Sequence, residues 1–106
     1  MIASIQINEI VTRIAERYNP EKIILFGSYA KGNNTEESDL DLILIKETDL
    51  PKHKRGIEVR RLFYRLPVPI DFRIYTRQEF NSELNIQNSF LNSALSGSKT
   101  LYERKN

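Results

Sequence analysis

Apolar side chains recur at Ile7, Ile10, Val11, Ile14 and Tyr18, the i, i+3, i+4, i+7, i+11 spacing of a single helix face. That spacing predicts an amphipathic helix over roughly residues 4–18, and Asn19-Pro20 stops it. The period then changes. Lys22 to Phe26 (KIILF) is short, β-branched and continuously apolar, so it reads as a strand buried on both faces. Gly27 through Gly32 predict a tight turn with a short helical turn, Ser28 standing near its start. Residues 32–38 (GNNTEES) form a polar, turn-rich loop. Leu40 to Ile45 is a second strand, apolar on both faces beyond the carboxylates that open it, and residues 47–51 form a loop.

Helical spacing returns at Val59, Leu62, Phe63 and Leu66 and predicts a helix over 52–66. Gly56 weakens its first turn by about 1 kcal/mol relative to Ala, and Pro67-Val68-Pro69 ends it. Ile70 to Tyr75 (IDFRIY) alternates, with Ile70, Phe72 and Ile74 on one face and Asp71, Arg73 and Tyr75 on the other. It predicts a third strand. Thr76-Arg77-Gln78-Glu79 has capping-box spacing and opens a further helix, which the polar run Ser82 to Ser89 breaks. A second helical segment over 89–96 ends at Gly97, and Leu101-Tyr102 can add a short final strand. The expected fold class is α/β (α+β): a small mixed sheet of three to four strands packed against helices.

Composition narrows the functional classes. The 106 residues suit one domain over 1–106, with 40% hydrophobic and 28% charged residues as in ordinary globules. Zero cysteines exclude a disulfide scaffold and thiolate metal sites, and a single histidine, His53, argues against a histidine zinc site or a Ser-His-Asp triad. No run approaches 18 apolar residues, and Met1-Ile2-Ala3 does not open a signal peptide. A cytoplasmic protein that leaves membranes alone is the expectation. Net charge is only +2, so direct nucleic-acid binding is not expected. Basic residues nevertheless concentrate between Lys46 and Arg65, where Lys46, Lys52, Lys54, Arg55, Arg60, Arg61 and Arg65 face three acids. That run reads as a solvated helix face, or as a patch for nucleotide phosphates or an acidic partner.

The chemistry concentrates in residues 25–45, LFGSYAKGNNTEESDLDLILI. Acidic residues are rare in strands, yet Asp39 and Asp41 open a strongly hydrophobic one. At i and i+2 they share a face, about 7 Å apart along the strand. Paired carboxylates suit a hard, oxygen-seeking cation such as Mg²⁺. Gly27-Ser28, ending the previous strand at a helical turn, suits a phosphate. Asp71 lies in a strand whose opposite face is apolar. If that strand lies beside 40–45, three carboxylates share one side and can bind two Mg²⁺ ions about 3.5–4 Å apart, with Asp71 as general base.

Gly27-Ser28-Tyr29-Ala30-Lys31-Gly32 followed by Ser38-Asp39-Leu40-Asp41-Leu42 resembles the signature of the DNA polymerase β-type nucleotidyltransferase superfamily. The short chain, the late Asp71 and the closing Ser98 to Arg104 (SKTLYER) resemble its minimal nucleotidyltransferase (MNT) branch. The resemblance implies that Gly27 and Ser28 contact the terminal phosphates of a nucleotide. It implies Asp39 and Asp41 as the metal-binding pair and Asp71 as the third catalytic and metal-binding carboxylate. Lys31 stands where the family pattern usually has Arg, keeping the charge but losing the bidentate fork. MNT proteins resemble antitoxins paired with HEPN ribonuclease toxins, so the resemblance implies AMP transfer from ATP to a tyrosine of such a partner. A chain with no further acceptor-holding domain would draw its acceptor from that partner. Two other readings stand beside it: a non-catalytic module that neutralises its partner by occlusion, and nucleotidyl transfer to RNA or a small molecule.

Overall fold

In the computed structural model, which describes residues 2–65 and 69–105, nine elements follow in the order α1 (Ser4–Arg17), β1 (Lys22–Phe26), α2 (Ser28–Lys31), β2 (Leu40–Ile45), α3 (Lys52–Arg61), β3 (Ile70–Tyr75), α4 (Arg77–Leu84), α5 (Phe90–Leu95) and β4 (Lys99–Glu103). The four strands form one sheet in the order β3-β2-β1-β4. β1 pairs antiparallel with both β2 and β4, whereas β2 and β3 run parallel. The expected mixed sheet is therefore present, and Leu101-Tyr102 do belong to a fourth strand. The connection from β2 to β3 passes through α3, as a parallel pair requires.

Alternation along the central strands divides the core in two. Ile23 and Leu25 of β1, Leu40, Leu42 and Leu44 of β2, and Phe72 and Ile74 of β3 pack with Ile10, Val11 and Ile14 of α1 and Val59 of α3. On the other face Ile24, Phe26, Ile43, Ile45 and Tyr75 pack with Phe80 of α4 and Leu91 of α5. Strands buried on both faces explain why KIILF and LILI carry no polar alternation. The even positions of β2 and β3 serve the first face. The odd positions, Asp41 and Asp71 among them, therefore belong to the face of α4 and α5.

Helix ends follow local chemistry. α1 stops where Asn19 takes a left-handed φ of 54° before Pro20. Thr76 and Glu79 form the expected capping box: Glu79 N–H donates to Thr76 Oγ1 and Thr76 N–H to Glu79 Oε1, at 3.2 and 2.9 Å. Ser89 caps α5 by accepting from Asn92 N–H at 3.2 Å. The helix expected over 52–66 is shorter, ending at Arg61. Beyond it Leu62 and Phe63 N–H donate to Val59 and Arg60 carbonyls, a tightened i to i−3 turn. Arg13 captures the Leu62 carbonyl at 3.2 Å, and Phe63 swings in to stack on Phe72. Leu66 and the Pro67-Val68 stop lie outside the described residues. No helix among the described residues is long and apolar enough to cross a membrane.

Candidate active site

β1 ends at Phe26, and its antiparallel partner across the ladder is Asp41. The chain must turn away at once, because Asp41 occupies the space beyond. Gly27 does this at φ 75°, ψ −156°, a region closed to side-chain-bearing residues. A Cβ on Gly27 would overlap the Asp41 carboxylate at Oδ2. The glycine is thus required twice, for its backbone angle and for the carboxylate packed against it. α2 starts directly after it. The Gly27 carbonyl accepts from Ala30 and Lys31 N–H, whereas the first amides, Ser28 and Tyr29, precede any intrahelical acceptor. The Tyr29 hydroxyl accepts from Ile2 N–H at 3.0 Å and ties this turn to the start of α1. Gly32, left-handed at φ 78°, ends the helix.

Asp41 and Asp71 are register partners in the parallel ladder. The condition attached to Asp71 in the sequence is met, since its strand does lie beside 40–45 and the two side chains share a face. Asp39 sits one residue before β2, exposed, with Leu40 N–H donating to the Pro69 carbonyl beside it at 2.8 Å. Burial pushes the Asp41 carboxyl above its usual value, and the charges of Asp71 and Asp39 push it further, with Arg73 opposing. The structure thus brings Gly27, Ser28, Asp39, Asp41 and Asp71 to one end of the sheet.

Lys31 differs from these. It is exposed, and its aliphatic stem lies against the turn at Gly97 between α5 and β4. No contact between Lys31 and the three carboxylates occurs among the described residues.

The donor set suits a hard divalent cation. It consists of oxygens only, its charge repels itself, and a glycine cradle presses one carboxylate into place. As the side chains stand, no three His, Cys, Asp or Glu groups among the described residues converge tightly enough to hold a metal ion. Beside them stands Arg73, whose Nε lies 3.9 Å from Asp71 Oδ2.

Sequence reasoning passed over Arg73 and Phe90. The Arg73 guanidinium lies 4.1 Å over the Phe90 ring, which meets Phe26 edge-on at 5.8 Å. Arg73 was detectable, since i+2 in a strand puts it on the face of Asp71. Phe90 arrives from another element and left no local signal. The basic run also needs correction, because two of its members are structural. Arg55 is buried, donating to Glu79 through both terminal nitrogens (2.6 and 3.1 Å) and to the Leu50 and Ile74 carbonyls. Lys46 donates to the Tyr18 carbonyl at 2.7 Å and lies over that tyrosine's ring. Lys52, Lys54, Arg60, Arg61 and Arg65 remain exposed.

Comparison with known proteins bears on this site. A model of the nucleotidyltransferase domain matches residues 7–96. "Putative protein adenylyltransferase MJ0604" of Methanocaldococcus jannaschii is 33% identical over 99 residues, covering 91% of this chain and 94% of that protein. Among solved structures, a chain from the crystal structure of a toxin-antitoxin with AMP-PNP aligns at TM-score 0.64 and 21% identity, covering 92% of this chain and 73% of that one. A "putative nucleotidyltransferase" from Sulfolobus solfataricus aligns at TM-score 0.63 and 19% identity, covering 92% and 78%. At such identities the two structural matches speak to fold.

Proposed function

The chain belongs to the nucleotidyltransferase domain family, and from that premise we propose that it is an Mg²⁺-dependent adenylyltransferase acting as an antitoxin. In this reading AMP passes from ATP to a tyrosine of a cognate HEPN-type RNase toxin. The observation that carries the proposal is the pairing of Asp41 with Asp71 across one ladder, beside a glycine turn that a side chain would close. Its support in kind is the protein adenylyltransferase named among the relatives and the toxin-antitoxin among the structural neighbours.

Ser28 and the open amides of the α2 turn would hold the terminal phosphates of ATP. Asp39, Asp41 and Asp71 would hold the metal. Mg²⁺, when bound, neutralises phosphate charge and makes a coordinated hydroxyl more acidic. The phenolic oxygen of the acceptor attacks the α-phosphorus. A new P–O bond forms, the bond to the β-phosphate oxygen breaks, and pyrophosphate leaves. Asp71, nearest the sheet edge, takes the phenolic proton as general base. The whole of residues 1–106 then acts as one catalytic domain whose acceptor group comes from the partner.

The test combines the purified chain, ATP, Mg²⁺ and the protein encoded by the neighbouring gene, read by intact mass. A mass gain of one or more AMP units, mapped to tyrosine and abolished by Asp39→Asn, is the expected result. An inhibited but unmodified partner, with Asp39→Asn still protective, would sink the catalytic reading in favour of occlusion. Labelled RNA or a labelled small molecule, with the partner protein untouched, would leave the enzyme and remove the tyrosine.

A further inference from the structure

The carboxylates leave one side of the site unexplained. Across the sheet the order runs from Gly27-Ser28 at the end of β1, through Asp41 on β2, to Asp71 on β3, which is the edge strand. With terminal phosphates at the turn, the departing pyrophosphate lies on the β1 side. Phosphoryl transfer places entering and leaving oxygens roughly in line, so the acceptor hydroxyl must enter from the β3 side. On that side lies a groove of about 330 Å³, lined among others by Lys52, Arg73, Tyr75, Glu83 and Phe90.

Arg73 joins this groove to the carboxylates, with Nε 3.9 Å from Asp71 Oδ2 and its guanidinium 4.1 Å over Phe90. Phe90 packs edge-on against Phe26 yet, like Arg73, keeps much of its side chain open to solvent. The Asp71–Arg73 pair is long and about half exposed, a kind of contact worth little to stability. Phe90 keeps 42% of its surface in solvent although Leu91 beside it is fully buried. A planar cation stacked on a half-open ring, next to the residue assigned as general base, is a surface made for another ring. Guanidinium planes stack on aromatics, and aromatic pairs favour offset or edge-on contact.

We propose that Arg73 and Phe90 are the acceptor-specificity residues of this enzyme, seating the phenol ring of the incoming tyrosine so that its hydroxyl lies over Asp71. The proposal rests on the adenylyltransferase reading above and adds to it the location and chemistry of the acceptor cleft. An aliphatic hydroxyl would leave the ring and the guanidinium uncovered, so serine or threonine at the acceptor position would be poor substrates.

The test uses the full chain with Mg²⁺, ATP and the neighbouring-gene protein. Acceptor KM is measured by mass-resolved transfer, and Kd for AMP-PNP separately by calorimetry. Phe90→Ala and Arg73→Lys should each raise acceptor KM about tenfold, the size of one aromatic contact. Nucleotide Kd should stay unchanged, and Phe90→Tyr should restore KM. Melting temperatures identify any variant whose loss is one of folding, and Arg73→Lys, a half-exposed conservative change, keeps the test alive if Phe90→Ala misfolds. Weakened AMP-PNP binding with unchanged acceptor KM would put the nucleobase on this surface and overturn the proposal. Unchanged values for both ligands would overturn it too. A wild-type chain that modifies no tyrosine would instead remove the tyrosine acceptor from the reading above, and this proposal with it.

Discussion

Two charged clusters sit on this sheet, and they are built on opposite rules. At one, Arg55 is buried and each nitrogen of its guanidinium is answered: two oxygens of Glu79, the Ile74 carbonyl and the Leu50 carbonyl. Glu79 in turn accepts from Thr76 N–H, and the guanidinium pulls its carboxyl down to about 2. At the other, Asp39, Asp41 and Asp71 gather with a single distant arginine, and burial with mutual repulsion pushes Asp41 the other way. The first cluster is satisfied by its own chain and ties the crossover helix α3 to β3 and α4. The second has no such partners among the described residues beyond the long contact to Arg73. A charge set that the fold leaves unbalanced at the end of a sheet is the candidate for a ligand site, and a balanced one marks a joint.

The contrast makes its sharpest forecast at Asp41. Asp41→Asn should lower transfer by about 10³-fold, in the range for removal of a preorganised electrostatic group, while melting temperature holds or rises because repulsion is relieved. A variant that lost stability in step with activity would show the carboxylates to be part of the joint. Arg55→Ala should do the reverse. It strands Glu79 and two carbonyls, at a cost of about 3 kcal/mol, the low end for a broken buried pair because Glu79 is partly solvated. Chemical denaturation reads that loss, and the folded fraction should retain transfer activity. Gly27→Ala blurs the two classes on purpose. Its left-handed strain and the overlap with Asp41 should cost about 1–3 kcal/mol and also displace the carboxylate, so stability and activity fall together. The smallest effect is with pH. Because the folded-state pKa of Glu79 is depressed from 4.5 to about 2, its contribution is complete above pH 4.5 and disappears as pH falls toward 2. Glu79→Gln should flatten that part of the stability–pH curve. An unchanged curve would mean the Arg55 pair carries no net weight.

Much of this was legible along the chain because it is local. The face of α1, the continuous apolar run of β1 and the capping box at Thr76 each depend on neighbours within one or two turns. The glycine turn and the Asp39–Asp41 spacing were readable for the same reason. Asp71 was legible as a condition, since the alternation of IDFRIY gives its face but not the strand it lies beside. Arg55 looked like any other member of a basic run, yet it stands four residues before Val59, on the apolar face of α3. That offset was a usable sign of burial. Its partner Glu79 was not foreseeable, because pairing across 24 residues leaves no periodic trace. The Leu62 carbonyl just past the end of α3 is held by Arg13, 49 residues away, another contact with no local trace. Phe90 over Arg73 is a meeting of two elements whose relative placement only the folded sheet defines.

The parallel pairing of β2 with β3 has a consequence for timing. A chain extended only as far as Ile45 already contains the Gly27-Ser28 turn and the Asp39–Asp41 pair on two strands that pair as a local antiparallel hairpin. Its third carboxylate arrives only when β3 has been synthesised and has come alongside β2, a non-local step that is slow relative to hairpin closure. Synthesis therefore brings Asp39 and Asp41 beside the glycine turn early and withholds Asp71 until β3 is made, so the three-carboxylate arrangement exists only once most of the domain does.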